Sequence, residues 1–160
     1  MTTKHSQIAG LAAWVGICFL TAWAGALVSP GIAPADWYDA LNKPPWTPPD
    51  WVFGPVWTLL YLLMGIAAWI VWKTYGFRLA GTALGAFLVQ LALNGAWSWI
   101  FFYLQAPGWA FLEIILLFIA IAVTTRLFFR KSGTAGWLMV PYMIWVGYAA
   151  TLNGAIWVMN

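Results

Sequence analysis

Charge is what this chain has least of. Asp, Glu, Lys and Arg make up 7% of its 160 residues, whereas a soluble domain carries roughly one-quarter. Only four residues are acidic and one is histidine. His5 lies on the N-terminal tail, which argues against a His-ligated haem or a zinc site. No nucleophile sits beside a base, no glycine-rich loop is placed to cradle a phosphate, and no basic surface suits a nucleic acid. The single cysteine, Cys18, rules out an intrachain disulfide and leaves the redox compartment open.

What fills the space is apolar. Hydrophobic residues are 64% of the chain and aromatic residues 19%, with a mean hydropathy of +0.83. These values describe an all-α integral membrane protein, with residues 1–160 forming a single membrane domain. Five runs are long enough to cross a bilayer, at about 8–28, 51–72, 79–104, 109–129 and 135–158. The first is read as a retained span. Its apolar part is longer than a signal-peptide core and leads straight into a structured loop. The later connections are short: Lys73–Arg78 around Gly76, Gln105–Gly108, and Arg130–Gly133. Short connections make neighbouring helices antiparallel, which gives a five-transmembrane-helix bundle.

The few charges are unevenly placed. Lys4, Lys73, Arg78, Arg126, Arg130 and Lys131 fall on one side, and Lys43 falls on the other beside Asp36, Asp39 and Asp50. The positive-inside rule then puts the N-terminus in the cytoplasm of a bacterium, with the protein in the plasma membrane. A bacterial or mitochondrial outer membrane is the alternative.

The longest polar interruption is WYDALNKPPWTPPDWVFGPVW, from Trp37 to Trp57. It holds five of the nine prolines and four of the fourteen tryptophans. Two Pro-Pro pairs exclude ordinary helix over 43–49 and favour a stiff, extended path. The loop at 30–50 is therefore either a lid over a ligand or an interfacial aromatic belt. Within the spans, Gln90, Asn94 and Ser98 recur every four residues and share a helix face with Trp97 and Phe101 beside them. Amides in hydrocarbon need partners, so this face points into the bundle, either as packing glue or as a pocket wall. Trp57, Tyr61, Gly65 and Trp69 form a second face, and Tyr142, Trp145, Ala149 and Leu152, with Asn153 adjacent, form a third. Glu113 is the one acid inside a span, placed about one turn below Trp109. Gly81-x-x-x-Gly85 is a helix-dimerisation pattern that suits a homodimer seam if it faces outward.

These residues carry a resemblance. Trp37-Tyr38-x-x-Leu41-x-Lys43-Pro44-x-Trp46-x-Pro48-Pro49 resembles the first-loop signature of the TspO/MBR family, the tryptophan-rich sensory proteins and translocator proteins. Gly54-Pro55-Val56-Trp57 with Tyr61, Met64 and Gly65 is similar to the same family. So are Gln90-Leu91-Ala92-Leu93-Asn94-x-x-Trp97 with Phe101-Phe102, Gly108-Trp109-Ala110, and Pro141-Tyr142-x-x-Trp145 with Ala149 and Leu152-Asn153. The resemblance runs in order from Trp37 to Asn153.

The resemblance implies a five-helix bundle, often dimeric, with a ligand pocket under the first loop. Family members bind porphyrins, and eukaryotic ones bind cholesterol and benzodiazepine-type drugs. Carried over position by position, it implies a pocket of Tyr38, Pro48, Trp57, Tyr61, Asn94, Trp97, Ser98, Phe101, Trp145, Ala149 and Leu152. The implied ligand is a tetrapyrrole, protoporphyrin IX or haem-like, and no further cofactor is required. Trp57 and Trp145 match tryptophans implicated in porphyrin photodegradation, so they would be the catalytic pair if the protein is an enzyme. The eukaryotic sterol motif needs Tyr followed by Lys or Arg at the end of the fifth span, and Leu152–Asn160 has neither. Three readings stand: a receptor or translocator of porphyrins, a light- and oxygen-dependent porphyrin-degrading enzyme, and a structural protein with an incidental pocket.

Overall fold

The computed structural model describes residues 4–30 and 36–160, so residues 31–35 of the expected lid lie outside the described residues. Among the described residues the regular structure is all helical, without a β-strand. α1 spans Lys4–Ala26 and α2 is a short helix, Asp36–Ala40. A 3₁₀ turn at Asp50–Val52 leads into α3, Phe53–Ser98. A π-helical turn, Trp99–Tyr103, ends that helix. α4 covers Pro107–Phe129 and α5 covers Gly133–Met159.

α3 is two spans joined at one residue. Gly76 has φ 60° and ψ −179°, a conformation essentially confined to glycine. The two arms fold back on each other there. The Tyr61 hydroxyl donates to the Asn94 side-chain oxygen, yet a straight helix would hold residues so spaced about 50 Å apart. The connection expected over Lys73–Arg78 is thus a single-residue turn, with helix on both sides. The bundle is all-α with five apolar segments, as expected. A Cβ on Gly76 would meet nothing within 4 Å, so a substitution there costs backbone strain alone. Gly76→Ala is expected to lower stability by about 1–3 kcal/mol, measured by denaturant titration in micelles, without any change in ligand binding.

Glycine sets the other close approaches. α1 lies in the crevice between the arms of α3. A Cβ on Gly65 would sit 2.7 Å from the Val15 Cα, and one on Gly95 would sit 3.2 Å from the Thr21 methyl. α4 and α5 pair in one antiparallel register. Phe111, Phe118 and Phe129 lie over Gly154, Gly147 and Gly136 of α5, and Trp157 lies over Gly108. Large rings seated on missing side chains let the two backbones come close without hydrogen bonds, which suits a bilayer.

The bundle has two unlike ends. At the turn end, the Tyr75 hydroxyl donates to the Lys131 carbonyl, 2.8 Å away, and Lys131 Nζ donates to the Leu79 carbonyl at 2.7 Å. At the loop end, the long first loop is fastened to α5. Asn42 and Asn160 exchange bonds, backbone N–H to Oδ1 at 2.9 Å and Nδ2 to backbone carbonyl at 3.0 Å. The Tyr148 hydroxyl donates to the Trp46 carbonyl at 2.6 Å. Residues 43–49 contain no helix, as their prolines require.

Candidate functional site

Under the fastened loop lies a cavity of about 880 Å³. Its walls come from every long helix. The first arm of α3 brings Trp57 and Tyr61, and the second brings Asn94, Trp97 and Ser98. The π turn adds Phe101 and Phe102, α4 adds Ile114 and Leu117, and α5 adds Trp145, Ala149 and Leu152. Ten of the eleven residues singled out from the sequence line this one space. Pro48 does not. It lies in the extended part of the loop, where its neighbour Trp46 is tied outward to α5 through Tyr148.

The i, i+4 spacing explains how the faces meet. Four residues make just over one helical turn, so Trp57 and Tyr61 stack along one side of their arm, their ring centroids 5.5 Å apart. Trp97 and Phe101 do the same at 5.0 Å, nearly parallel. Adjacent residues of an α-helix point about 100° apart. The wider π turn is what presents both Phe101 and Phe102 to the cavity. On these rings rests α2: Tyr38 packs edge-on against Phe101 at 6.3 Å and Phe102 at 5.5 Å. Tyr38, Asp39, Asp50 and Trp51 thus form part of the roof. Trp46 and Trp51 also stand exposed, so the stretch combines the features of a lid and of an aromatic belt.

The polar groups fall into three sets. Deep in the cavity, Asn94 links the two arms and α5. It accepts from Tyr61, and its Nδ2 donates to the Tyr142 hydroxyl at 2.9 Å. Nearer the loop end, Trp97 Nε1 donates to Asn153 Oδ1 at 3.0 Å, and Asn153 Nδ2 donates to the Pro107 carbonyl at 2.8 Å. These bonds hold the Trp97 ring in place. Trp145 differs, because its indole N–H is buried without a partner among the described residues. At the mouth the charge is mainly negative. Asp39 and Asp50 line it, and Lys43 stands 3.8 Å from Asp39 and 4.1 Å over the Tyr38 ring. Burial first, then the Asp50 and Asp39 carboxylates, push the Tyr38 phenol above its usual range, so it stays a neutral donor.

Several lining residues were not singled out from the sequence. Phe19, Trp23 and Gly25 of α1, with Ser29 just beyond its end, form one wall. The small side of α1 reads equally well as a packing face, and it does pack: a Cβ on Gly25 would sit 3.0 Å from the Ser98 hydroxyl. Gln90 is fully buried a turn beyond Asn94, outside the cavity, with both amide atoms unpartnered among the described residues. Glu113 is also buried, with neither carboxylate oxygen bonded among the described residues. Gly81 and Gly85 face outward with open space above them.

Comparison with known proteins agrees with the fold. The TspO/MBR family profile matches residues 14–158. The chain is 42% identical to the tryptophan-rich protein TspO of Chlorobaculum tepidum, over 98% of this chain and 99% of that one. It is 43% identical to the translocator protein of Homo sapiens, over 76% of this chain and 73% of the relative. To the tryptophan-rich sensory protein of Cereibacter sphaeroides it is 39% identical, over 88% and 84%. With its multi-pass apolar bundle and its tryptophan-walled cavity under the first loop, this chain belongs to the TspO/MBR family.

Proposed function

We propose that the protein is a receptor or translocator that binds porphyrins and similar flat hydrophobic ligands in the cavity under the first loop. The observation that carries the reading is the set of tryptophans around it. Trp57, Trp97 and Trp145 approach one space from three different segments. Its volume of about 880 Å³ lies within the ~300–1,000 Å³ usual for small-molecule sites. Aromatic rings bury a planar guest well. Asn94 has its amide engaged by two tyrosines, and Lys43 is engaged by Asp39. Propionates of a porphyrin would therefore turn towards loop amides and away from the two carboxylates at the mouth.

The test is a titration with protoporphyrin IX in dim light, following tryptophan quenching. Ala149 lines the cavity, and Ala149→Phe would place a ring inside it. Saturable quenching is expected in the wild type, with affinity lowered at least tenfold in Ala149→Phe. Equal, non-saturating curves for both proteins would remove the porphyrin site.

A second reading rests on the convergence of Trp57 and Trp145 on the same cavity. Both could donate an electron to a photoexcited macrocycle, with dioxygen as the oxidant, in a porphyrin-degrading reaction. Full light-driven turnover in the Trp57→Phe/Trp145→Phe double variant would end it. The structural reading, with an incidental cavity, gains only if no ligand saturates.

The setting of the protein is part of the proposal. We place it in a bacterial plasma membrane with the turn end, rich in Lys and Arg, on the cytoplasmic side. We pair it as a homodimer through the outward face bearing Gly81 and Gly85. Labelling of single cysteines from one side of intact cells checks the first. Unchanged dimer cross-linking in Gly81→Leu/Gly85→Leu would dismiss the second.

A further inference from the structure

Among the described residues the cations at the turn end have no acidic partner. All four acids lie elsewhere: Asp36, Asp39 and Asp50 belong to the first loop, and Glu113 lies in the loop-side part of α4. Among the described residues the only ion pair is Lys43 with Asp39, at the opposite end. Lys73, Arg78, Arg126, Arg130 and Lys131 therefore stand without any carboxylate near them.

Two of these cations border a second cavity, of about 360 Å³, between the start of the second arm of α3 and the end of α4. Leu79, Ala80, Thr82, Ala83 and Leu127 wall it, and Arg130 and Lys131 close one side. Lys131 is braced. Its Nζ donates to the Leu79 carbonyl at 2.7 Å, it lies 5.0 Å from the Tyr75 ring, and its carbonyl accepts from Tyr75 at 2.8 Å. An ammonium has three N–H groups, so two remain for a ligand. Arg130 is exposed and forms no side-chain hydrogen bond or ion pair among the described residues, which leaves its planar fork of donors unused. Thr82 adds a hydroxyl on the opposite wall. A braced ammonium and a free guanidinium beside a hydroxyl are the donors a phosphate needs.

The walls say which phosphate. Leu79 is 69% exposed and Leu127 is partly so, on the outer side of the bundle where acyl chains run. A soluble anion would gain nothing from these apolar surfaces, whereas a lipid would present its phosphate to the cations and its glycerol and first methylenes to the leucines. We propose that this cleft seats the headgroup of an anionic phospholipid. The site is separate from the tryptophan-walled cavity, and it stands or falls apart from the porphyrin reading.

The test uses the full chain in uncharged detergent, with dioleoylphosphatidylglycerol and dioleoylphosphatidylcholine as probes and retained lipid counted by native mass spectrometry. Wild-type protein is expected to retain phosphatidylglycerol in preference. A basic residue at a membrane surface contributes about fivefold to such binding, so Arg130→Gln/Lys131→Gln should lower it roughly thirtyfold. Arg130→Gln alone, on an exposed side chain, should lower it about fivefold and serves if the double variant misfolds. Thr82→Trp keeps every charge but fills the cleft, and should lower retention at least tenfold. Lys73→Gln/Arg126→Gln removes two cations of the same end outside the cleft, and should change retention far less. Equal losses in the two double variants would mean a diffuse field and no cleft site. Equal retention of the two lipids, or full displacement by inorganic phosphate at millimolar concentration, would also overturn the assignment.

Discussion

Gly65→Leu should unseat α1. The Cβ position on Gly65 is 2.7 Å from the Val15 Cα and 2.9 Å from its Cγ2. No rotamer relieves a clash with backbone, so the whole of α1 has to move. Overpacking in a core typically costs about 1–3 kcal/mol, and a leucine here should reach or pass the top of that range. Helix propensity favours leucine over glycine by roughly 0.8 kcal/mol, which does not offset it. The effect also reaches the ligand, because α1 carries Phe19, Trp23 and Gly25 on the cavity wall. Porphyrin quenching should weaken together with thermal stability. Gly16→Leu is the control, since a Cβ at Gly16 meets nothing within 4 Å. If both variants kept wild-type melting behaviour, the tight crossing of α1 over α3 would be wrong.

Asn94→Leu should be the second large loss. One side chain serves two buried tyrosines: Oδ1 accepts from Tyr61 and Nδ2 donates to Tyr142. Interhelical hydrogen bonds in membranes are worth about 0.6–2 kcal/mol each, less than the orphaning of polar groups in a dry soluble core suggests. Two such bonds give about 1–4 kcal/mol. The physical signature is in the rescue. Removing the hydroxyls as well, in Asn94→Leu/Tyr61→Phe/Tyr142→Phe, leaves no unpaired polar group, so much of the stability should return. Unfolding by sodium dodecyl sulfate titration measures all of these variants. A triple variant as unstable as Asn94→Leu alone would mean that the asparagine acts through its shape and not through its bonds.

Much of the architecture was legible in the sequence, for a simple reason. In a bilayer, backbone groups must be satisfied within each segment, so apolar length alone marks helices. The cavity faces were legible because polar and aromatic residues at i, i+4 spacing stay together on a helix. Asn94 and Ser98 on one arm and Trp57 and Tyr61 on the other met as that spacing implied. The resemblance of the loop motif added Tyr38. What stayed hidden depends on distant or conformational facts. The wall supplied by α1 sets Phe19 and Trp23 among Ala22, Gly25 and Ala26, whose smallness fits packing and cavity alike. The fastening of Asn42 to Asn160 joins positions 118 apart. α2 within the proline-rich stretch, and the π turn at 99–103, follow from how the chain end packs and leave no periodicity of their own. Pro48 was placed by motif position, yet the loop turns it aside from the cavity it borders in sequence.

The single-residue turn at Gly76 also governs how the protein enters a membrane. Were the two arms of α3 to insert one at a time, the first would cross the bilayer while the second continued it as one rod. A continuous helix of 46 residues is about 70 Å long, more than twice the ~30 Å hydrocarbon core. With only one residue to reverse direction, no stretch of soluble chain can wait between two separate insertion events. Insertion of the two arms together, folded back to back as a helical hairpin, meets that constraint. The groove between them that receives α1 then exists from the moment of insertion.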